Sequence, residues 1–182
     1  MDSGSPRHPS GGPASGPTDP EIADWTDQYF LRTKQTVQRF GDVKVTYAVF
    51  MRRPVVSAPR LALDWLHRVA QARGTAFQVD LIYPEGKWVG AGEPLMYVTG
   101  SFVHLADLET LLLLTIGPDS VAAFNAFTMC ADLPAVSFLA MDARHCAGRE
   151  MAELMAYAAS AGSARARRKV GAKGFVGNAT EA

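Results

Sequence analysis

The chain has 182 residues, of which 48% are apolar and 20% charged, and its formal net charge is zero. The length and the apolar content suffice for one ordinary domain or two small ones. Because a neutral chain has no overall electrostatic field to hold a polyanion, no nucleic-acid partner is expected. The two cysteines, Cys130 and Cys146, match neither a disulfide framework nor a zinc site, which favours a reducing, cytoplasmic compartment and no metal site.

The N-terminal segment is poor in residues that could form a core. Residues 1–20 contain five proline, four glycine and four serine residues and no aromatic residue. Such a segment cannot bury enough apolar surface to offset its ordering entropy, so we predict a disordered tail, with order beginning near Ile22. The most apolar run, residues 111–116, ends at Gly117 and is far shorter than the about 20 residues of a membrane-spanning helix, so no membrane partner is expected.

The next part of the chain alternates helical and strand patterns. The segment Trp25–Phe40 has helical spacing, with Thr26 in the N-cap position. A strand over residues 43–50, a helix over 59–73 and strands over 77–83 and 93–100 follow. The last strand contains Pro94 at its start, which is typical of an edge strand. We therefore predict an N-terminal α+β domain over residues 21–116.

The remaining part predicts a parallel βαβ unit. One helix over residues 107–114 and another from Pro118 to about Asp132, with a break at Gly117, form a helical connection to about residue 133. The apolar run over 135–141 is typical of a strand buried on both faces. A helix that ends near Gly162 and a short strand over 173–176 complete the unit. The predicted class is thus α/β, with residues 134–182 following the α+β domain.

Two parallel strands cannot cover their own faces. Either these strands complete a sheet begun by the N-terminal strands, or residues 134–182 open a larger domain that this chain does not finish. The N-terminal strands alternate like a half-exposed sheet, which favours the second interpretation. We therefore expect self-association or poor solubility, caused by uncovered apolar side chains at Val136, Phe138, Met151 and Met155.

Two loops follow the predicted parallel strands, where α/β proteins place chemically active side chains. In the first, residues 142–145, Arg144 is suited to bind a carboxylate or phosphate through two parallel hydrogen bonds. Alternatively, Asp142 caps the next helix and pairs with Arg144 at the surface. His145 is a general-base or nucleophile candidate, but no hydrolase motif surrounds it, which favours an orienting or solvated side chain.

The second loop covers residues 177–180. Asn178, Thr180 and the backbone N–H groups there are suited to bind a phosphate, or Thr180 simply starts a helix as its N-cap. The chain has no Walker loop and no G-x-G-x-x-G motif. The residues alone therefore indicate an α/β protein with a candidate anion pocket and no assignable reaction.

Several segments resemble known motifs in the same order along the chain. Residues 26–33 (TDQYFLRT) are similar to a TDxYF segment, and residues 92–100 with 108–112 are similar to a GEPLLxVxG…LETLLL stretch. Residues 141–145 fall at the place of an Arg-containing strand-end motif, and residues 174–180 at that of a GFxGTSN-like loop, although both depart from the commoner forms. These motifs belong to the nicotinate phosphoribosyltransferases, which the chain therefore resembles.

The resemblance implies a type II phosphoribosyltransferase, with a mixed α/β N-terminal domain followed by an incomplete α/β barrel. This family joins nicotinate to phosphoribosyl pyrophosphate (PRPP) and forms nicotinate mononucleotide in NAD salvage. ATP hydrolysis assists many members, so ATP and Mg²⁺ are implied for the complete enzyme, without a tightly bound cofactor. Active sites form between two subunits, which implies a homodimer or a second chain carrying the rest of the barrel.

The resemblance also implies residue roles. Tyr29 would lie beside the pyridine ring, and Arg144, with His145 in the same motif, would meet the nicotinate carboxylate or a phosphate. Asn178 and Thr180 would contribute to phosphate binding. The family's catalytic histidine lies in a later motif resembling GTMPHAL, which this sequence does not contain. No catalytic residue is therefore assigned, and we expect an N-terminal part of the enzyme that is inactive alone.

Two alternatives stay open at this point. The chain could be a non-catalytic protein that binds a pyridine carboxylate or another subunit. It could also belong to a relative that acts on nicotinamide or quinolinate.

Overall fold

The computed structural model describes residues 19–179, so the tail predicted for residues 1–18 lies outside the described range, as does Thr180. In chain order the elements are α1 (Asp19–Trp25), α2 (Gln28–Phe40), β1 (Lys44–Phe50), β2 (Val55–Val56), α3 (Arg60–Ala72), β3 (Gln78–Leu81), β4 (Trp88–Val89), β5 (Pro94–Ser101), α4 (Phe102–Leu105), α5 (Glu109–Asp132), β6 (Ser137–Ala140), α6 (Arg149–Val170) and β7 (Gly174–Asn178). The predicted α/β class is confirmed.

The antiparallel part contains a three-stranded sheet in the order β1-β5-β3 and a small sheet of β2 and β4. The prediction that β5 is an edge strand is wrong, because β5 pairs with a strand on each side. Pro94 is tolerated because it is the first residue of β5 and lies opposite Phe50, where the register shifts. Leu95, Met96 and Val98 of β5 are fully buried in the main core.

The first two helices meet at a short break. Helix α1 begins at Asp19, so residues 19 and 20 belong to a helix and not to a tail, and order begins before Ile22. The prediction of Thr26 as an N-cap is wrong, because α2 begins at Gln28 after Asp27. The Thr26 hydroxyl lies instead within hydrogen-bonding distance of the carbonyl oxygens of Ile22, at 2.7 Å, and Asp107, at 2.8 Å.

Helix α5 is continuous over 24 residues, so the predicted break at Gly117 is wrong. Pro118 lies inside the helix and removes one backbone donor there. The buried residues Leu112, Ile116 and Ala123 lie on both sides of the proline. Their burial on both sides of the proline stabilises the continuous helix, as tertiary contacts can do against local preference.

Within residues 19–179, α5 is the one helix whose length and apolar composition would allow it to cross a membrane. The apolar run 111–116 lies inside this longer helix, because the predicted break at Gly117 is absent. The core helix of a non-membrane protein meets the same criterion, and α5 packs along α6 and β2. It also carries two fully buried polar residues, Asp119 and Ser120.

Helix α6 runs through Gly162 to Val170, so the predicted end at Gly162 is wrong. A Cβ atom at Gly162 would lie 2.1 Å from the carbonyl oxygen of Ala123 and 2.8 Å from the amide nitrogen of Phe127, both on α5. The glycine therefore lets α5 and α6 approach closely and does not end the helix.

Strands β6 and β7 pair in parallel on either side of α6, which confirms the predicted βαβ unit. The prediction that β6 is buried on both faces is wrong for the described residues, because Leu139 is 54% exposed and Ser137 is also exposed. Phe138 is half-buried and packs on Phe175, with ring centroids 5.6 Å apart. Val136 is exposed, whereas Met151 and Met155 are half-buried.

Candidate functional site

The carboxyl ends of β6 and β7 meet at one edge of the parallel sheet. Ala140 pairs in register with Asn178, and the Ala179 N–H donates to the Ala140 carbonyl at 2.8 Å. The loop that leaves β6 therefore starts beside the end of β7. We call residues 140–145 together with 177–179 the strand-end site, because parallel α/β proteins place ligand-binding groups at such an edge.

Arg144 and His145 lie in a single 3₁₀ turn, Asp142–His145, between β6 and α6. Both side chains are exposed, and the Cys146 N–H donates to the Ala143 carbonyl at 3.2 Å at the end of the turn. Gly148, and not Asp142, occupies the N-cap position of α6. The two basic side chains are thus presented to solvent from a short turn.

Asn178 is half-buried at the last position of β7. Gly177 and Asn178 therefore lie in a strand, whereas a loop was predicted over residues 177–180. The structure brings Asn178 to the same sheet edge as the turn that carries Arg144 and His145. The phosphate-binding role of Asn178 stays a prediction.

Tyr29 lies in the first turn of α2 and is 59% exposed. Its ring packs against Phe30, with centroids 4.1 Å apart. Desolvation and the nearby carboxylates of Glu109 and Asp27 raise the pKa of the Tyr29 hydroxyl. The Tyr29 backbone carbonyl accepts a hydrogen bond from the Thr33 hydroxyl at 2.9 Å, also within α2.

A buried ion pair network holds α2 in place. The Asp107 side chain, 3% exposed, accepts two hydrogen bonds from the Arg73 guanidinium at 2.8 Å and one from Lys34 Nζ at 2.6 Å. Burial alone would raise the pKa of Asp107, but the two cations outweigh it and hold this pKa below its usual range. The network therefore ties α2, which carries Tyr29, to the end of α3 and the segment before α5.

A second polar cluster connects α6 with the N-terminal part. The Tyr157 hydroxyl donates to Glu85 Oε2 at 2.6 Å and accepts from the Arg60 backbone N–H at 3.1 Å. The Arg60 guanidinium lies 4.5 Å from the Tyr157 ring centroid, and Arg165 donates to the Gly86 carbonyl at 2.8 Å. These contacts fix the helix that directly follows the Arg144 turn.

A cleft of about 1430 Å³ opens beside the strand-end site. Its walls come from α1, α3 and the start of α5 on one side, and from α6 and β7 on the other. Its apolar lining includes Ile22, Trp65, Leu111, Met151 and Leu154, and its charged lining includes Arg60, Asp64, Arg68, Glu150 and Arg167. Of the predicted site residues that the structure describes, Asn178 lines this cleft, whereas Tyr29, Arg144 and His145 do not.

Neither the two polar clusters nor the cleft was predicted from the sequence. Asp107 gives a recognisable signal, since it is a lone carboxylate in the apolar segment 102–108. Tyr157 and Glu85 give none, because they are 72 residues apart. Among residues 19–179, no three His, Cys, Asp or Glu side chains are grouped so as to hold a metal ion.

The fold resembles those of solved enzymes of pyridine nucleotide metabolism. A nicotinate-nucleotide pyrophosphorylase from Pyrococcus furiosus is 25% identical, with a TM-score of 0.64 over 90% of this chain and 40% of its own. A human nicotinic acid phosphoribosyltransferase is 21% identical, with a TM-score of 0.59 over 81% of this chain and 38% of its own. A nicotinate-nucleotide pyrophosphorylase from Francisella tularensis is 15% identical, with a TM-score of 0.56 over 84% of this chain and 55% of its own. The chain thus spans about half, or less, of these structures.

The family follows from the sequence itself. Residues 27–118 match the model of the quinolinate phosphoribosyl transferase N-terminal domain. Because this match covers half of the chain, the chain belongs to that family. The predicted resemblance is confirmed at the level of the nicotinate and quinolinate phosphoribosyltransferases, and not for nicotinate specifically. A search of curated proteins gave no match.

Proposed function

We propose that the chain acts in a phosphoribosyltransferase of NAD salvage, which joins nicotinate to PRPP and forms nicotinate mononucleotide. The observation that carries the proposal is the strand-end site, where Arg144, His145 and Asn178 share one sheet edge in a chain of this family. The motif resemblance of residues 92–100 and 108–112 supports nicotinate as the substrate.

In this proposal Arg144 binds the nicotinate carboxylate through two charge-assisted hydrogen bonds, with His145 beside it. Asn178 and Thr180 bind phosphate oxygens, and Tyr29 packs against the pyridine ring. The ring nitrogen then forms a bond to C1 of the ribose while the bond from C1 to pyrophosphate breaks. Because charge develops on the leaving pyrophosphate, fixed cations and hydrogen-bond donors stabilise the transition state.

We further propose that the complete site forms between two chains, either as a homodimer or with a second chain. Tyr29 lies on α2 and does not line the cleft that Asn178 lines, which supports this arrangement. ATP and Mg²⁺ are proposed for the complete enzyme. In this proposal phosphate oxygens of PRPP bind the Mg²⁺. The sequence has two cysteines, too few for a disulfide framework, which supports a cytoplasmic location.

Isothermal titration of the protein with nicotinate tests the role of Arg144. We expect Arg144→Ala to weaken nicotinate binding by about tenfold to a hundredfold, since a hydrogen bond to a charged group contributes about 1.5–3 kcal/mol. Nicotinamide, which lacks the carboxylate, should bind the unsubstituted protein more weakly and should not respond to the substitution.

Arg149→Ala is the matched control. Arg149 follows the same loop, its side chain is 88% exposed, and it forms an ion pair with Glu153. The substitution should leave nicotinate affinity unchanged. Equal binding of nicotinate and nicotinamide, or an equal loss in both variants, would contradict the proposed role of Arg144.

Quinolinate is the second candidate substrate, and the match to the quinolinate phosphoribosyl transferase N-terminal domain favours it. Quinolinate carries a second carboxylate next to the ring nitrogen. A competition titration separates the two candidates, because a quinolinate site would bind the dicarboxylate more tightly than nicotinate. The reverse order would support nicotinate.

A further inference from the structure

No further inference is drawn: the strongest candidate, the apolar cleft of about 1430 Å³ between helices α1 and α3 on one side and helix α6 with strand β7 on the other, is an unpartnered face, and nothing in the structure shows what covers it.

Discussion

The carboxyl group of Asp119 should make the stability of this protein depend on pH. Asp119 is fully buried in the middle of α5, and neither carboxylate oxygen has a hydrogen-bond partner within the described chain. Burial raises the pKa of this carboxyl from 3.8 to about 7. The folded protein therefore keeps the proton up to about pH 7, whereas the unfolded chain releases it near pH 4.

The sign and size of the effect follow from this difference. Between about pH 4 and pH 7 the folded state binds one more proton than the unfolded state, so the free energy of unfolding falls as the pH rises. A shift of about three pKa units corresponds to a loss of about 4 kcal/mol, complete above pH 7. Below pH 4 the carboxyl is neutral in both states and its titration contributes no pH dependence.

The substitution Asp119→Asn tests this expectation, because it keeps the shape of the side chain and removes its titration. Urea unfolding followed by circular dichroism, from pH 4 to pH 8, gives the free energy of unfolding of both proteins. The advantage of the variant should grow by up to about 4 kcal/mol over this range. Asp64→Asn, which removes a carboxylate at an exposed position of α3, is the matched control. A constant difference between Asp119→Asn and the unsubstituted protein would refute the reasoning.

Three further predictions use the same unfolding assay or a measurement of size. Asp107→Asn should lower the free energy of unfolding by about 3–5 kcal/mol, because it leaves the buried Arg73 guanidinium without its carboxylate. Glu153→Gln, in an exposed ion pair, should lower the free energy of unfolding by less than about 1 kcal/mol. Equal losses in the two variants would contradict this contrast. Gly162→Ala should destabilise by about 3 kcal/mol, because its Cβ would overlap the backbone of α5, whereas Gly117→Ala, with no atom within 4 Å, should be neutral or stabilising. Leu139→Lys should reduce self-association in sedimentation velocity, because the leucine is 54% exposed on the parallel sheet, and an unchanged association state would rule this surface out.

The local sequence was sufficient for most elements of the α/β fold. β1 and α3 lie within one residue of their predicted ranges, because alternation and helical spacing are read from neighbouring residues. The parallel pairing of β6 with β7 also followed from the order strand, helix, strand. The position of Arg144 after a strand was predictable for the same reason, since a loop between two such elements ends up at the sheet edge.

The predictions that were wrong concern residues whose structure depends on distant parts of the chain. Pro118 and Gly162 are residues that interrupt helices in isolation, yet both lie inside long helices here. Pro94 begins a central strand, although proline is usually found at an edge. In each case the deciding contact comes from a segment distant in the sequence, such as the Ala123 carbonyl beside Gly162.

The sequence by itself therefore determined the α/β class, the family and the strand–helix–strand order of the last part of the chain. The tertiary structure decided which elements are continuous, which strand is central, and that the Arg144 turn and Asn178 share one edge while Tyr29 lies on a separate helix. Local patterns report the preferences of neighbouring residues. The burial of Asp107 against Arg73 and the close packing of α5 on α6 arise only when distant segments meet, and these contacts outweigh local preferences of about 1–3 kcal/mol.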